Sequence, residues 1–340
     1  MSFDVRDLAA PVLVAPMAGG PSTPELAAAA TNAGGLGFVA AGYLTAEVFA
    51  ERVQAAQRLT AGPLGVNLFV PQASAGRPEA VAAYAGVLAA EVDRYGAELG
   101  DPRFDDDHWT AKLEVVLDLR PALASFTFGL PSVEERRRLT GAGITTAATV
   151  TTAAEARLAA ECGVDILVAQ GPAAGGHRGT FDPTARPSEQ PLDELLAAVT
   201  AEHAIPVVAA GGLMSAADIR GVRQAGAAAA QLGTAFLLAD EAGSSPVHRA
   251  ALTDPQFVET AVTRAFSGRY ARGLRNRFIV EHEADAPFGY PEVHYLTSPL
   301  RAAAVRAGDP QAVNIWAGTG FRQARSGSVA DIVDMLTGGG

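Results

Sequence analysis

The chain reads as an α/β protein, a (β/α)8 TIM barrel with a small helical capping region. Three observations predict this. Short runs rich in Val, Ile and Leu alternate with Ala-rich segments of helical character, the pattern of βα units around a parallel sheet. Eight such runs follow one another, which favours closure into a barrel over an open sheet. Glycines stand at the ends of five or more of them, where a barrel presents its ligands.

The elements follow in order. The first strand is Val12–Pro16, and Thr23-Pro24 then supplies an N-cap and a proline at the first helical position. The second strand is Leu36–Ala40 and the third Leu64–Phe69. A helical stretch Pro78–Tyr95, the acidic patch Asp105-Asp106-Asp107 and a helical Trp109–Leu119 come next. We read residues 78–120 as an elaborated βα unit and not as a separate domain. Leu123–Phe128 is the fourth strand, and Ser132 with Glu135 predicts a capping box for the helix Val133–Thr140. Ile144–Thr149 is the fifth, with Thr152 and Glu155 predicting a second box for Ala153–Cys162. Ile166–Ala169, Val207–Ala210 and Ala229–Leu232 complete the eight, and Ser215 with Asp218 is a weaker box before Ala216–Ala225. Residues 1–239 are thus expected to form the barrel, 240–290 a small helical lid, and 291–340 a segment that returns to the barrel.

Composition narrows the function. The 340 residues are 49% hydrophobic and 19% charged, enough apolar material for a large core. A net charge of −11, from 26 basic and 37 acidic residues, disfavours nucleic acid as a partner. The lone cysteine, Cys162, excludes an intrachain disulfide and suits a reducing compartment. Met1–Ala10 lacks the basic and apolar regions of a secretory signal, and no apolar run is long enough for a membrane span. A cytoplasmic protein is expected.

Barrel enzymes carry their chemistry in the loops after the strands. Gly211-Gly212 after the seventh strand and Gly233-Thr234 after the eighth occupy the two loops that often hold phosphate, helped by a helix amino terminus. That phosphate could belong to a sugar phosphate, a substrate or a cofactor. The amides Asn67, Gln170 and Gln231 each offer a donor and an acceptor, as the pyrimidine edge of a flavin requires. His177, in the glycine-rich run Gly175-Gly176-His177-Arg178-Gly179, is the leading catalytic candidate, as a proton acceptor or a hydrogen-bond donor. Asp182 could orient it. His108, His203, His248 and His282 read as structural, and Cys162 as a buried thiol. No metal-ligand spacing is present. The arginines Arg264, Arg269, Arg272, Arg275 and Arg277 fit an anion-greeting face and a lid clasp equally well.

Taken together these residues resemble the nitronate monooxygenase family, formerly called 2-nitropropane dioxygenases, in its bacterial class I type. The resemblance covers nearly the whole chain. It is carried by Ala15-Pro16-Met17-Ala18-Gly19-Gly20, Gly65-Val66-Asn67-Leu68-Phe69, Ser125-Phe126-Thr127-Phe128-Gly129, Gln170 through Gly179, Ala209-Ala210-Gly211-Gly212, Gln231-Leu232-Gly233-Thr234 and Gly268-Arg269-Tyr270-Ala271-Arg272-Gly273. It implies FMN without a metal, contacted by Pro16, Met17, Asn67, Gln170, Gly175, Gly211, Gly212, Gln231, Leu232, Gly233 and Thr234. It also implies His177 as the active-site histidine, with Tyr290 and Tyr295 on the substrate side. The implied reaction is oxidation of an alkyl nitronate, such as propionate 3-nitronate, by O2 to a carbonyl compound and nitrite. The sequence departs from the family pattern at Ala173, His294 and Thr319, all near the expected substrate side.

The same scaffold is similar to NADH:quinone reductases and to flavin-dependent enoyl-acyl-carrier-protein reductases, which would use NAD(P)H. A phosphate-binding barrel without flavin and a non-catalytic flavin carrier are further readings. A small anionic substrate and O2 are the expected partners, and Ala80–Ala90 is a candidate face for a homodimer.

Overall fold

The computed structural model describes residues 3–338. Among the described residues there are eleven strands: β1 (Val12–Val14), β2 (Gly37–Ala40), β3 (Leu64–Phe69), β4 (Leu123–Thr127), β5 (Thr145–Val150), β6 (Ile166–Gln170), β7 (Gly176–His177), β8 (Val207–Ala210), β9 (Ala229–Leu232), β10 (Thr260–Thr263) and β11 (Ala271–Leu274). Eight of them form one parallel sheet in the order β1-β9-β8-β6-β5-β4-β3-β2. Its ends meet through a single bridge, with Leu36 N–H donating to Val12 at 3.0 Å and Val14 N–H donating to Leu36 at 2.9 Å. The eight barrel strands are those expected, with ends shifted by one or two residues.

Side chains alternate across each strand and so build two layers. On β6, Ile166 and Val168 point inward and join Leu13, Leu36, Phe38, Leu123 and Val208 in the barrel interior. Val5, from a short turn before β1, closes the bottom of that cluster. Leu167 and Ala169 point outward and pack beneath Ala156, Ala159, Leu195, Leu196 and Val199 of the surrounding helices. The abundant Ala and Gly serve this close approach. A side chain on Gly37 would run into the backbone of Ala27, so glycine there lets the helix Pro24–Asn32 lie flat on β2.

The helix starts obey local chemistry. Thr23 accepts from Leu26 N–H at 2.9 Å, with Pro24 at the first helical position. Ser132/Glu135 and Ser215/Asp218 each form a complete capping box, the second being stronger than its sequence suggested. Thr152 caps its helix, but Glu155 does not reciprocate. The carboxylate accepts instead from Thr151 N–H at 2.6 Å and from Phe181 N–H at 2.8 Å, tying the loop after β6 to the loop after β5.

A second apolar cluster lies over the barrel mouth. It unites Tyr84 and Leu88 from the insertion before β4 with Leu252, Phe266, Leu274 and Phe278, and with Leu296 and Leu300 of the helix Glu292–Arg306. The covering layer is not helical throughout. β10, β11 and β7 make a three-stranded antiparallel sheet, in which His177 pairs with Ala271 and Gly176 with Arg272. The helix Glu292–Arg306 packs on the insertion helices, whereas Val329–Thr337 packs on the barrel helices Pro24–Asn32 and Ala216–Gln224.

Candidate active site

Between the mouth and the covering layer lies a cavity of about 380 Å³, within the range of small-molecule and cofactor sites. Pro16, Met17, Asn67, Gln170, Gly175, His177, Gly211, Gly212, Gln231, Leu232, Gly233 and Thr234 all line it. These residues come from six different strands or strand ends, and only closure of the barrel brings them together. Tyr290 and Tyr295 do not line this cavity. They border a small adjoining pocket shared with Asp105–Asp107, although the Tyr290 ring stands 5.6 Å from that of His177.

The glycines at one side form a cradle. Gly211 and Gly212 have φ of +111° and +76°, a region glycine enters without strain. A Cβ on Gly212 would come within 2.8 Å of Ala173, and one on Gly175 within 2.5 Å of Ala317. Among the described residues, the backbone N–H groups of Gly211, Gly212, Gly233 and Thr234 find no protein acceptor. Four donors converging on a narrow pocket are suited to an anion such as phosphate.

The amides occupy the rest of the wall. Asn67 Nδ2 donates to Ser125 Oγ at 2.9 Å and Thr127 Oγ1 at 3.1 Å, which leaves its oxygen for a ligand. The Gln231 side chain lines the cavity and, among the described residues, makes no hydrogen bond to the protein. Gln170 behaves differently from the expectation of a free amide. Its Nε2 donates to the His177 carbonyl at 3.1 Å and its oxygen accepts from Gly179 N–H at 2.9 Å, so it staples the glycine-rich loop to β6.

His177 is held by Ser267, with Nε2 and Oγ 2.8 Å apart. Ser267 Oγ also stands 3.2 Å from the Arg269 carbonyl; with the hydroxyl proton directed there, Nε2 carries the imidazole proton and Nδ1 is an acceptor. Burial, and then the charges of Arg269 and Arg301, push the pKa of His177 down to about 3. The ring is therefore neutral at physiological pH. Phe128 meets it edge-on at 5.8 Å, and Trp316 packs beside it at 5.6 Å. Asp182 plays no part in orienting it. That carboxylate is exposed and accepts from Thr184 instead. The partner is Ser267, a neutral hydroxyl that adds no charge to stabilise an imidazolium.

The arginines resolve as clasps. Arg264 pairs with Glu283 at 3.3 Å, Arg275 with Glu259 at 3.1 Å, and Arg277 with the buried Glu91. Arg272 donates to the Pro172 carbonyl at 3.0 Å. Arg269 is fully buried over the face of Phe128, 3.9 Å from its centroid, and donates to Gln72 Oε1 and to the Thr180 carbonyl. Arg178 is buried too and donates to the carbonyls of Gly171 and Gln170. Among the described residues neither forms an ion pair, and Glu155 offsets both only from a distance, so each leaves net positive charge behind the cavity wall.

Several site residues escaped the sequence reading. Tyr43, His248, Ser267, Arg301, Asn314 and Trp316 all line the cavity. His248, read as structural, is held to the Trp316 carbonyl at 3.1 Å. Tyr43 stacks on His294 at 4.1 Å, and its hydroxyl accepts from Tyr290 at 3.1 Å. Its left-handed backbone, φ +68°, was the one local oddity that marks it, and no sequence pattern encodes that. Cys162 is half-buried and hydrogen-bonds to the Pro131 carbonyl, its thiol pushed up by burial. Glu91, Glu281 and His282 cluster within reach of a common ion, but Arg277 already fills that position between the carboxylates.

The chain is similar to several known proteins. A solved structure described as nitroalkane oxidase from Streptomyces ansochromogenes superposes with a TM-score of 0.93 at 48% identity, over 98% of this chain and 96% of that one. FabK from Thermotoga maritima, at 23% identity and a TM-score of 0.75, shares the fold. Among curated relatives, the nitronate monooxygenase of Pseudomonas aeruginosa is 37% identical over 96% of this chain and 95% of its own length. A probable nitronate monooxygenase of Staphylococcus haemolyticus is 36% identical over 96% and 92%. The family model described as nitronate monooxygenase matches residues 5–339, and the chain belongs to that family.

Proposed function

We propose that the protein oxidises alkyl nitronates with O2, using FMN, to a carbonyl compound and nitrite. The observation that carries this is the single cavity in which unpaired glycine N–H groups, side-chain amides and a neutral histidine face one another. The residues fit FMN by the chemistry of the donor set. Gly211, Gly212, Gly233 and Thr234 would hold the phosphate, while Asn67 and Gln231 would meet the mixed donors and acceptors of the ring. Pro16, Met17, Gly175 and Leu232 would supply the flat apolar contact, and Gln170 would act through the loop it fastens. When bound, the flavin supplies the one-electron chemistry that O2 requires.

The chain's own residues then set the conditions. The aromatic wall of Phe128 and Trp316 excludes water around His177. The buried charges of Arg178 and Arg269, not paired at contact distance, make the cavity favourable for an anion. With Nε2 committed to Ser267, His177 offers Nδ1 as a base, which suits removal of the α-proton from a neutral nitroalkane. A preformed nitronate has already lost that proton and needs only binding. Tyr290, in the turn before the helix Glu292–Arg306, and Tyr295, on that helix, border the neighbouring pocket, and we assign them to the substrate side through the Tyr290–Tyr43 hydrogen bond.

The test is oxygen consumption and nitrite release by the purified flavin-loaded protein with ethyl nitronate. Turnover with both products is expected. Reduction by NADH with no nitrite from nitronate would replace this reading with a reductase. Among the described residues no helix is long and apolar enough to cross a membrane.

A further inference from the structure

The small pocket beside the main cavity holds about 30 Å³ and reaches out between Val70, the turn Asp105–Asp107 and Tyr295. Three side chains, Tyr43, Phe69 and Phe128, border both spaces. With Tyr290 they close into a collar of four aromatic rings. Tyr43 meets Phe69 edge-on at 5.6 Å, Phe69 packs on Phe128 at 4.8 Å, and Phe128 meets Tyr290 at 5.5 Å. The Tyr290 hydroxyl completes the circuit by donating to that of Tyr43 at 3.1 Å. His177 faces the collar from the main cavity, 5.8 Å from Phe128 and 5.6 Å from Tyr290. The backbone around the collar is held in unusual conformations. Tyr43, Asp107 and Phe128 have φ of +68°, +56° and +79°, and they are three of the five non-glycine residues with left-handed backbone among those described. Such residues persist where their surroundings over-determine them, and they gather at functional sites. Tyr43 and Asp107 brace each other, N–H to carboxylate at 2.9 Å. A side chain on Gly42 would run into the Phe69 ring, so glycine there lets the ring close the collar.

A molecule that uses this collar must be small, uncharged and apolar. Burial keeps both tyrosine hydroxyls protonated, that of Tyr43 pushed up to about 12, so the collar itself bears no charge. The pocket's volume is on the scale of about one or two water-sized molecules, enough for a diatomic gas and too little for a nitronate with its carbon chain. Aromatic walls also offer a water molecule few partners. At the outer lip, Phe104 is half exposed beside three carboxylates, Asp105, Asp106 and Asp107. Two cations answer them, Lys112 at 2.7 Å from Asp107 and Arg103 over the Tyr295 ring at 3.9 Å, which leaves the lip with one negative charge. An anion gains nothing on that side, whereas the cavity backed by Arg178 and Arg269 attracts it. We propose that the collar and the pocket behind it form a docking site and inlet for O2, separate from the entrance that the nitronate takes. The inlet rests on the reading that O2 is the oxidant, but the gas site can be measured apart from turnover.

Xenon, a small apolar atom, is the probe for the site. Crystals of the wild-type holoenzyme under xenon pressure should show a xenon atom between the collar and Val70. Val70 borders the small pocket and not the main cavity, so Val70→Phe fills the inlet without entering the flavin site. Flavin content and Tm check that this variant folds. It should lose the xenon atom and lower kcat/KM for O2 about tenfold, the scale of a hindered approach. Its kcat/KM for ethyl nitronate at high oxygen should stay within about twofold of the parent's. A wild-type pocket that takes no xenon overturns the proposal whatever the variant does. So does an unchanged kcat/KM for O2 in a variant that has lost the xenon, and so do equal losses for O2 and nitronate. A wild-type protein that binds xenon there and consumes O2 with another electron donor, yet releases no nitrite, keeps the inlet and removes the nitronate chemistry.

Discussion

At the scale of single residues, the hydrogen bond between His177 and Ser267 decides what the histidine can do. A carboxylate partner would have raised the imidazole pKa, whereas serine leaves it neutral with Nδ1 free. Replacing His177 by Asn should therefore cost about 10²-fold or more in kcat with neutral nitroethane, while preformed ethyl nitronate is affected less. Steady-state rates on the two forms of one substrate check this, and equal losses would assign His177 to binding. The pKa near 3 also predicts a pH profile for nitroethane with no enzyme limb near 6.5. A limb near 6.5 in kcat/KM would show that the ring titrates as an ordinary histidine. Sequence reasoning found His177 because a histidine within consecutive glycines has no packing role. It could not find Ser267, Arg301 or Asn314, since each reaches the cavity from the covering layer through contacts between segments far apart in the chain. Asp182, offered only as a weak orienting candidate, is close in sequence but turned to solvent.

At the scale of elements, the turn Asp105–His108 is braced by a buried ion pair. Lys112, the chain's one lysine, is 1% exposed and lies 2.7 Å from Asp107, whose other oxygen accepts from Tyr43 N–H at 2.9 Å. Burial pushes Asp107 up and Lys112 down, so desolvation opposes their attraction. Lys112→Met should destabilise the protein by about 3–5 kcal/mol, because it leaves Asp107 buried and unpaired. The double variant with Asp107→Asn should recover part of that loss, and urea denaturation of the set measures the coupling. Additive losses would show that the two side chains act independently. In the barrel wall, Leu167→Ala should cost about 2–5 kcal/mol by opening a cavity between β6 and its helices. Most barrel strands were legible because each carries a short, largely apolar run bounded by turn residues, while the fourth and the eighth are weakly patterned. β7 was not legible. A two-residue strand whose partner is almost a hundred positions away has no pattern of its own, and the small sheet over the mouth exists only through that pairing.

At the scale of the whole molecule, the architecture joins a barrel built from local βα units to a covering layer assembled from two distant parts of the chain. The barrel was legible for that reason, and the cavity's floor with it. The layer was not, since Tyr84 meets the Ala265 carbonyl and Arg277 meets Glu91 across nearly two hundred residues. Acid should expose how the layer holds its neutral histidines. His177 and His248, pushed down to about 3 and about 4 by burial, stay unprotonated when folded while the unfolded chain takes up protons below about 6.5. Their contribution is absent above that pH and costs stability progressively as pH falls towards 4. His248→Gln should accordingly lose less Tm between pH 7 and pH 4.5 than the parent does, and an identical loss would show that His248 titrates normally when folded. The central claim, that the glycine cradle and the amides of the barrel mouth hold a flavin which nitronate itself reduces, is tested most directly by anaerobic titration of the purified protein. Propionate 3-nitronate should bleach the bound flavin absorbance and NADH should leave it unchanged. Bleaching by NADH alone, or a fully folded protein that takes up no FMN, would contradict it.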